Sequence, residues 1–352
     1  MAPLPEGCGE DYLTNQIHPK YLKARVRISF PFDVQLLNIT GKEPENQYSF
    51  YNPTIIASTE EKNRYFVAFR EADFTLCHHK YRTTPPFHSR IHFGISDNPR
   101  GPVKYCSTFS GQGSRVNVPN GPEDPRFIYL TPPGNNKTPI LHMTYILYRT
   151  IHLAQVHFNI TSQGCTAQMT NTLDMWASGT DKNSMQKNWM FIPDSTTPDG
   201  RPLFVFKLNP LEVIAINMET GEGNTVSSQP KLDCVPSLRG NTMFLQHPTK
   251  PNVFIGIAHE TVSQRRNYYS RVITIEEFEP QHFRLTGMSD RFGIPEHNDD
   301  ICMDHTHFPT SMFYLDDNKE TIIIGMGYMD CTPHTVLVKT FDFLSSVKPI
   351  SC

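Results

Sequence analysis

Short apolar runs, rich in Val, Ile, Phe and Tyr, recur along almost the whole chain of 352 residues. Runs of this length and composition are typical of β-strands. Turn sequences such as Pro198-Asp199-Gly200 separate them, and the 29 prolines disfavour long helices. Only a few stretches, such as residues 174–187, have the pattern of a helical turn. The predicted strands cover residues 65–69, 91–95, 127–130, 140–148, 151–160, 203–208, 213–218, 253–257, 272–275, 321–326 and 335–338.

Five of these runs end in a polar or charged residue, and they recur at intervals of roughly 50–80 residues, which suits a four-stranded propeller blade with its loops. The terminal polar residues are Arg70, Arg149, Asn209, His259 and Asp330. If each run is the innermost strand of a blade, the five side chains converge on one axis. We therefore predict an all-β chain folded as a five-bladed β-propeller, with other β architectures as the alternative.

No shift in composition divides the chain. We predict an N-terminal tail over residues 1–19 and a single propeller domain over residues 20–352. The alternating run within residues 20–37 is expected to pair with residues 334–341 and so to close the ring.

Charge and hydropathy exclude several classes of function. The formal net charge of −3 gives no basic field for nucleic acid. No apolar run reaches the ~18 residues that a membrane span needs. The first residues, MAPLPE, lack the basic and then apolar pattern of a signal peptide, so we predict a cytoplasmic protein.

The lack of a signal-peptide pattern also guides the interpretation of the cysteines and the sequons. Eight scattered cysteines without a C-x-x-C pair are expected to be free thiols in a chain that has no signal peptide. The sequons at Asn38, Asn136 and Asn159 are then chance matches, unless a leader preceded the chain.

Candidate chemistry centres on the segment Gly121-Pro122-Glu123-Asp124-Pro125-Arg126. Two carboxylates and an arginine lie between and beside prolines that restrict the backbone, and a strand-like run follows. Because a residue before proline favours extended geometry, Asp124 is expected in a stiff, extended segment, which suits a catalytic carboxylate. A surface turn in which Arg126 pairs with a carboxylate is an equally good interpretation.

Other candidates lie near strand ends. Lys187-Asn188-Trp189 combines the cation, amide and flat aromatic that grip a sugar or phosphate, with Trp189 in the core as the alternative. In Arg239-Gly240-Asn241-Thr242 the glycine allows a close backbone approach to an anion, although an ordinary turn fits as well. His259 is either a ligand or a satisfied structural histidine.

Metal and nucleotide motifs are weak or missing. The histidines at 78–79 and the sequence Asp304-His305-Thr306-His307 lack the spacing of a structural zinc site, so we predict no metal. There is no phosphate loop, no nucleophile elbow and no dinucleotide fingerprint.

Several short segments form a pattern together. They are Asn52-Pro53, Arg70-Glu71, the E-D-P-R segment, Lys187-Asn188-Trp189, Arg239-Gly240-Asn241-Thr242, His259 and residues 325–330. This pattern resembles the inverting β-mannoside phosphorylase family, which includes β-1,2-mannosyl phosphorylases and related protozoan mannosyltransferase/phosphorylases. The resemblance implies a five-bladed propeller with a central sugar site.

The resemblance also implies roles on the sugar side of the site. It makes Asp124 the general acid, Asn52 and Arg70 sugar contacts, and Asp330 a late active-site aspartate. We add Glu123, Asn188 and Asp304 as substrate-binding residues.

On the phosphate side the resemblance implies binding by Lys187, Arg239 and His259, with Tyr269 as a hydroxyl donor. Two departures concern the acceptor side. Asn241 stands where the family has glycine, and Met326-Gly327-Tyr328-Met329-Asp330 departs from the usual Tyr-Gly-small-small-Asp.

The predicted activity is transfer of β-linked mannose, first of all β-1,2-linked, between an oligosaccharide and phosphate with inversion. An inverting hydrolase needs a second carboxylate to activate water, whereas a phosphorylase needs cations to bind a dianion. Inorganic phosphate is the co-substrate and no cofactor is expected. The partners are a β-mannooligosaccharide and mannose 1-phosphate or phosphate, with a nucleotide-linked mannose if the anion pocket takes a larger leaving group. A β-mannoside hydrolase, with Glu123 or Asp304 as base, and a non-catalytic carbohydrate-binding propeller are the alternatives, and the oligomeric state is open.

Overall fold

A computed structural model describes ten ranges of the chain. They are residues 33–42, 49–72, 89–111, 121–132, 138–182, 184–185, 187–262, 267–292, 307–328 and 332–352. The predicted tail over residues 1–19, and the predicted site residues Asp304 and Asp330, lie outside them.

The described chain begins with two short strands and a four-stranded antiparallel meander. The strands are β1 (Asp33–Leu36), β2 (Ile39–Thr40), β3 (Ser49–Ala57), β4 (Tyr65–Ala72), β5 (Ser89–Ser96) and β6 (Val103–Phe109). Within the meander the order is β3-β4-β5-β6, and β2 adds to β6 in parallel. The strand β1 belongs to another sheet.

Two further meanders share one eight-stranded sheet. The first consists of β7 (Glu123–Leu130), β8 (Ile140–Leu147), β9 (Thr150–Thr161) and β10 (Gly164–Ala177), and the second of β11 (Met190–Thr196), β12 (Pro202–Leu208), β13 (Leu211–Ile216) and β14 (Glu222–Gln229). Their outer strands β10 and β14 join through a short parallel pairing of Trp176 with Glu222 and Ala177 with Gly223. The eight strands are therefore two meanders that touch at their outer edges.

The fourth meander has a divided first strand. It consists of β15 (Leu238–Gly240), β16 (Leu245–Gln246), β17 (Val253–Val262), β18 (Asn267–Glu279) and β19 (His282–Ser289). Both β15 and β16 pair with β17, one at each end of it.

The last meander is closed by the front of the chain. It consists of β20 (His307–Tyr314), β21 (Thr321–Tyr328) and β22 (Thr332–Lys339), and β1 supplies the outer strand beside β22. Leu36 lies opposite His334 and Asp33 opposite Leu337, so the predicted pairing of the front with residues 334–341 is confirmed for residues 33–36. The helix α1 (Thr340–Ser345) and the strand β23 (Val347–Pro349), which pairs with β19, follow.

The all-β prediction is confirmed, and each predicted strand run overlaps an observed strand. Residues 174–187 are not helical in their described part, because β10 continues to Ala177. The helix α1 has six residues, and none of the described helices is long and apolar enough to cross a membrane.

The five repeated runs occupy equivalent places, but these are not the places we predicted. The runs lie on β4, β8, β12, β17 and β21, each of which is the second strand of its meander. Their terminal residues do not all converge either. Arg149 is exposed in a turn, and Asn209 Nδ2 donates hydrogen bonds to the carbonyls of Leu232 and Val235. A buried second strand and a buried first strand have the same apolar pattern, so periodicity does not distinguish them.

Apolar clusters fill the spaces between neighbouring meanders. In one of them Ile192 and Val205 pack with Phe254 and Ile273 of the fourth meander. Burying each such side chain contributes roughly 1.5–3 kcal/mol. The first strands β3, β7 and β20 contact one another, and β11 contacts β7. Polar side chains that lie where these first strands meet are thus held between rigid sheets.

The prediction of free thiols is wrong for four of the eight cysteines. Cys106 is bonded to Cys165, and Cys234 is bonded to Cys352. These pairs join positions 59 and 118 residues apart, a proximity that only the fold creates. The other cysteines, Cys8, Cys77, Cys302 and Cys331, lie outside the described residues.

Candidate active site

Two residues that precede prolines, Asn52 and Asp124, meet where β3 approaches β7. Each lies at a β-bulge, because the register of β3 against β4 shifts around Asn52 and that of β7 against β8 shifts around Asp124. Asn52 Nδ2 donates a hydrogen bond of 3.1 Å to Asp124 Oδ1. A bulge re-aims one side chain without ending the strand, so it directs this carboxylate while the sheet stays rigid.

The backbone at these residues is left-handed. The φ angle is 49° at Asn52, 47° at Asp124 and 65° at Asn188. Asp124 lies in a strand, as expected for a non-helical segment, but its own φ angle is left-handed because the bulge and the contacts of its side chain override the preference of a residue before proline. Such conformations cost about 1–3 kcal/mol each and cluster at functional sites.

Arg70 connects the carboxylates at the start of β7. Its Nη2 lies 3.3 Å from Glu123 Oε2, and its Nη1 lies 3.5 Å from Asp124 Oδ1. Its Nε donates a hydrogen bond of 2.8 Å to Ser89 Oγ. We call Asn52, Arg70, Glu123 and Asp124 the carboxylate cluster. Both carboxylates have a partner in Arg70, and Asp124 also accepts from Asn52, so Asp124 is fixed before any ligand arrives.

Arg126, two residues beyond Asp124, has a different environment. Its residue is only 4% exposed, and Nη1 donates a hydrogen bond of 3.3 Å to the Trp189 carbonyl. Its Nε and Nη2 have no hydrogen-bond partner among the described residues. Burial lowers the pKa of Arg126 to about 10, while Asp124 acts in the opposite direction, so the side chain is still a cation at neutral pH. A buried cation with unused donors suits a site that receives an anion.

His259 lies on β17 directly opposite Arg239 of β15 and is 1% exposed. Its Nδ1 is hydrogen-bonded to Asn241 Oδ1. Because an amide oxygen only accepts, Nδ1 carries the proton and Nε2 is left as an acceptor. Burial, reinforced by the nearby cations Arg239, Arg126 and Lys187 and opposed by Asp124, lowers the pKa of His259 to about 3.

The low pKa changes the role of His259, and its causes show which cations act on this histidine. The imidazole is neutral at physiological pH, so it offers a hydrogen bond and not the positive charge that we predicted. Arg126, Lys187 and Arg239 all act electrostatically on it. We call these three cations the basic cluster. Within the described part of the chain, none of the three forms an ion pair as close as that of Arg70 with the carboxylates.

A small pocket lies between Asp124 and the start of β11. Its polar lining comes from Asp124, Arg126, Asn188 and Thr144. Trp189 also lines it but is buried in the core against Phe204 and Phe206, and its indole nitrogen has no hydrogen-bond partner in the described ranges. Of the triplet Lys187-Asn188-Trp189, Asn188 therefore faces the pocket, whereas the buried ring of Trp189 is not open for a sugar to stack on it.

Gly240 serves packing and not an approach to an anion. A Cβ at this position would overlap the Asn188 carbonyl oxygen and the side chain of Met190. The glycine lets β15 lie against the start of β11. This contact brings Arg239 and Asn188 to neighbouring parts of the site.

Tyr269 is placed away from His259. It lies opposite Glu260, and its ring lies 4.7 Å from the Arg291 guanidinium carbon. Successive residues of a strand point to opposite faces, so Tyr269 and His259 are on different faces of the sheet. The neighbouring Tyr268 does reach His259, with their rings 4.8 Å apart in an edge arrangement. Tyr269, the hydroxyl donor implied by the resemblance, is thus on the other face of the sheet from His259, and Tyr268 is on the same face.

Arg126 is the functional candidate that sequence reasoning treated only as a partner of a carboxylate. A signal was present, since Arg126 stands beside Asp124 in the same proline-restricted segment. Among the described residues, no group of three or more His, Cys, Asp or Glu side chains is arranged to hold a metal ion. The described site therefore consists of a fixed carboxylate, a neutral imidazole and three cations.

No family model matches the chain, and no curated protein matches it in sequence. Solved structures are similar in fold. A β-1,2-mannobiose phosphorylase from Listeria innocua has a TM-score of 0.55 and 10% identity, over 87% of this chain and 94% of that one. A putative glycoside hydrolase from Bacteroides ovatus has a TM-score of 0.54 and 12% identity, over 84% of this chain and 88% of that one.

A glycosyl hydrolase from the same organism has a TM-score of 0.50 and 12% identity, over 86% of both chains. The protein therefore has a fold that carbohydrate-active enzymes use, among them hydrolases and a mannoside phosphorylase. At these identities the likeness concerns the fold alone.

Proposed function

We propose that the protein is an inverting enzyme that transfers β-linked mannose between an oligosaccharide and phosphate. The observation that carries the proposal is the pairing of one fixed carboxylate, Asp124, with a buried cation, Arg126, that has unused donors. The sugar chemistry is taken from the resemblance of the sequence and from the fold shared with the Listeria enzyme. The β-1,2 linkage is the first substrate to test.

The architecture that we propose is a five-bladed β-propeller. Five meanders follow one another along the chain, and the repeated runs are their second strands. The N-terminal strand β1 completes the last meander, which is how a propeller ring is closed. In this architecture the first strands β3, β7, β11, β15 and β20 surround a central site.

Asp124 is assigned the role of general acid. In phosphorolysis it gives its proton to the oxygen that leaves the anomeric carbon, and in synthesis it takes a proton from the acceptor hydroxyl. The bond from Asn52 Nδ2 and the contact with Arg70 orient the carboxylate. We keep Glu123, Asn188, Asp304 and Asp330 as sugar-binding candidates.

The basic cluster is assigned to the phosphate. Arg126 offers two donors, and Lys187 and Arg239 add positive charge. His259 Nε2 accepts a hydrogen bond from a protonated phosphate oxygen or a sugar hydroxyl. Tyr268, which contacts His259, is a better candidate than Tyr269 for the hydroxyl donor.

Phosphate is favoured over water as the nucleophile by the charges around His259. An inverting hydrolase places a base carboxylate roughly 6.5–9.5 Å from the acid. Among the described residues, the groups that act on His259 are three cations and Asp124, and Glu123 is compensated by Arg70. A cluster of cations stabilises an incoming phosphate dianion, but cations cannot serve as the base that activates water in a hydrolase.

The test is a set of three assays on the purified protein. We incubate it with β-1,2-mannobiose and phosphate, with mannose 1-phosphate and mannose, and with β-1,2-mannobiose in phosphate-free buffer. The proposal predicts mannose 1-phosphate in the first assay, mannobiose in the second and no turnover in the third. Phosphate-independent cleavage supports the hydrolase, and saturable sugar binding without bond cleavage supports a binding protein.

A matched pair of variants locates the chemistry. Asp124→Asn keeps the shape of the side chain but removes the proton, so we expect a loss of roughly 10²–10⁴-fold in kcat. Asp317→Asn changes an exposed aspartate between β20 and β21 and should leave kcat unchanged. Full activity of a folded Asp124→Asn protein would contradict the assignment.

A further inference from the structure

The ribbon formed by the distal parts of β9 and β10 has two unlike faces. One face carries Phe158, Ala167 and Met169, which pack against the first meander, and Phe158 stacks on Phe66 at 4.4 Å. The other face is exposed and carries Asn159 of β9 opposite Thr166 of β10. We call this exposed face the outer ribbon face.

The buried face of the ribbon is covalently fixed to β6. Cys165 of β10 is bonded to Cys106, and the adjacent Ser107 Oγ donates to the Ala167 carbonyl and accepts from the Ala167 amide, both at 3.0 Å. The ribbon therefore keeps one orientation, and the same side remains in solvent.

A second disulfide is independent of the first. Cys234 precedes β15, and its partner Cys352 is the last residue of the chain, beyond β23. Every cysteine in the described ranges is part of a disulfide. Two disulfides between distant positions form and persist in an oxidising compartment, whereas reducing compartments keep such thiols free.

The outer ribbon face carries a sequon in this oxidised protein. Asn159-Ile160-Thr161 fits N-x-T, and the Asn159 side chain is exposed and has no hydrogen bond within the described residues. Thr161 shapes the adjoining turn, because its Oγ1 donates to the Gly164 carbonyl at 3.2 Å and accepts from the Gln163 amide. A bulky group on Asn159 would extend into solvent beside this turn and displace no packed side chain.

We propose that the protein matures in an oxidising compartment and carries an N-linked glycan on Asn159. Both requirements of the modification are met here, namely an exposed acceptor and a protein whose described cysteines are oxidised. The strand order places Asn159 on the third strand of its meander, away from the first strand that carries Asp124. The glycan would thus leave the candidate site open. This location differs from the cytoplasmic one predicted from the first residues, which the structure does not test.

The direct experiment uses the protein isolated from the cells that make it. The thiols are alkylated without reduction, and the peptides are treated with peptide-N-glycosidase in H₂¹⁸O before mass spectrometry. We expect ¹⁸O-labelled aspartate at position 159 and a peptide pair joined through Cys106 and Cys165. Unmodified Asn159, or alkylated Cys106 and Cys165, would overturn the proposal.

Matched variants assign the glycan to its sequon. The full chain is produced in the secretory pathway of a eukaryotic host as wild type, Thr161→Ala, Thr161→Ser and Thr166→Ala. Glycosidase should shift the wild type, Thr161→Ser and Thr166→Ala by one glycan more than Thr161→Ala. Equal shifts in all four proteins would show that Asn159 is not modified. The sequon at Asn38, which is also exposed, remains in every variant as an internal reference.

Discussion

Two arginines on the contacting strands β4 and β7 show how differently the two halves of the site are built. Arg70 of β4 touches the carboxylates of Glu123 and Asp124 and donates to Ser89. Arg126 of β7 is more deeply buried and donates only to a main-chain carbonyl, with two nitrogens unpartnered in the described structure. The guanidinium of Arg70 is therefore engaged by polar side chains, whereas two donor nitrogens of Arg126 are not used by any described residue.

This difference teaches which half of the site is already formed without ligand. In the carboxylate cluster both carboxylates already have partners, so its geometry is fixed in the free protein. Among the described residues the three cations of the basic cluster form no close ion pair, and the buried one, Arg126, carries a desolvation cost that a bound anion would offset. Binding energy from phosphate is thus available on the side where the nucleophile arrives.

Substitution of Arg126 should give the largest effect on phosphate. Arg126→Gln removes the charge-assisted hydrogen bonds to the anion, and we expect the KM for phosphate to rise roughly 10–100-fold. The KM for mannobiose should change little. Initial rates over a grid of both substrates measure the two constants. An unchanged KM for phosphate would remove Arg126 from the anion site.

Paired methionine substitutions should separate the two arginines in stability. Arg70→Met leaves two carboxylates without their cation, so we expect a loss of about 1–3 kcal/mol in the free energy of unfolding. Arg126→Met removes a buried, incompletely partnered charge and should be neutral or stabilising without phosphate. Urea unfolding of both variants in phosphate-free buffer makes the comparison. Equal losses would show that Arg126 is a structural partner like Arg70.

The depressed pKa of His259 predicts a pH dependence of stability. The unfolded chain takes up a proton on this histidine below pH 6.5, while the folded protein does so only near pH 3, so stability falls as the pH drops through this window. The slope from one such group is roughly 1.4 kcal/mol per pH unit. His259→Gln should reduce the slope between pH 6.5 and 4.5, compared by unfolding at several pH values. An unchanged slope would contradict a neutral, buried His259.

Gly327→Ala should give a smaller effect that acts through Asn52. A Cβ at position 327 would overlap Asn52 Oδ1 and push the amide away from Asp124. Since a misplaced positioning group weakens orientation and not binding, we expect kcat to fall roughly 10-fold with little change in KM. Gly164→Ala is the matched control, because nothing lies within 4 Å of the added carbon. Equal activity of both variants would show that Asn52 does not orient the acid.

The sequence predicted the strands, the closing pairing of residues 33–36 and the segment that contains Asp124. It did not predict the left-handed backbone at Asp124, because the local preference before proline is overridden by a bulge and by contacts from β3 and β4. It also placed the repeated runs as innermost strands, since burial on both faces looks alike in either position. Contacts between distant segments of the chain decide whether a run becomes the first or the second strand of its meander.

Within the site, the short sequence motifs indicated which residue types would gather, but they did not indicate protonation states or the face of the sheet on which each side chain lies. Neutral His259 follows from burial among cations, and strand register puts Tyr268, but not Tyr269, on the same face as His259. The disulfides depend on positions brought together by the fold, so counting cysteines did not reveal them. These features are tertiary, and no local pattern in the chain encodes them.

The central claim is that a phosphate ion occupies the unfilled donors of Arg126 beside Asp124. The most direct measurement is a crystal structure of the protein soaked with mannose and phosphate. The account predicts an anion hydrogen-bonded to Arg126 Nε and Nη2, with His259 and Asp124 on either side of the reacting atoms. Sugar bound at Asp124 with no anion at Arg126, or an anion only at a distant surface, would contradict it.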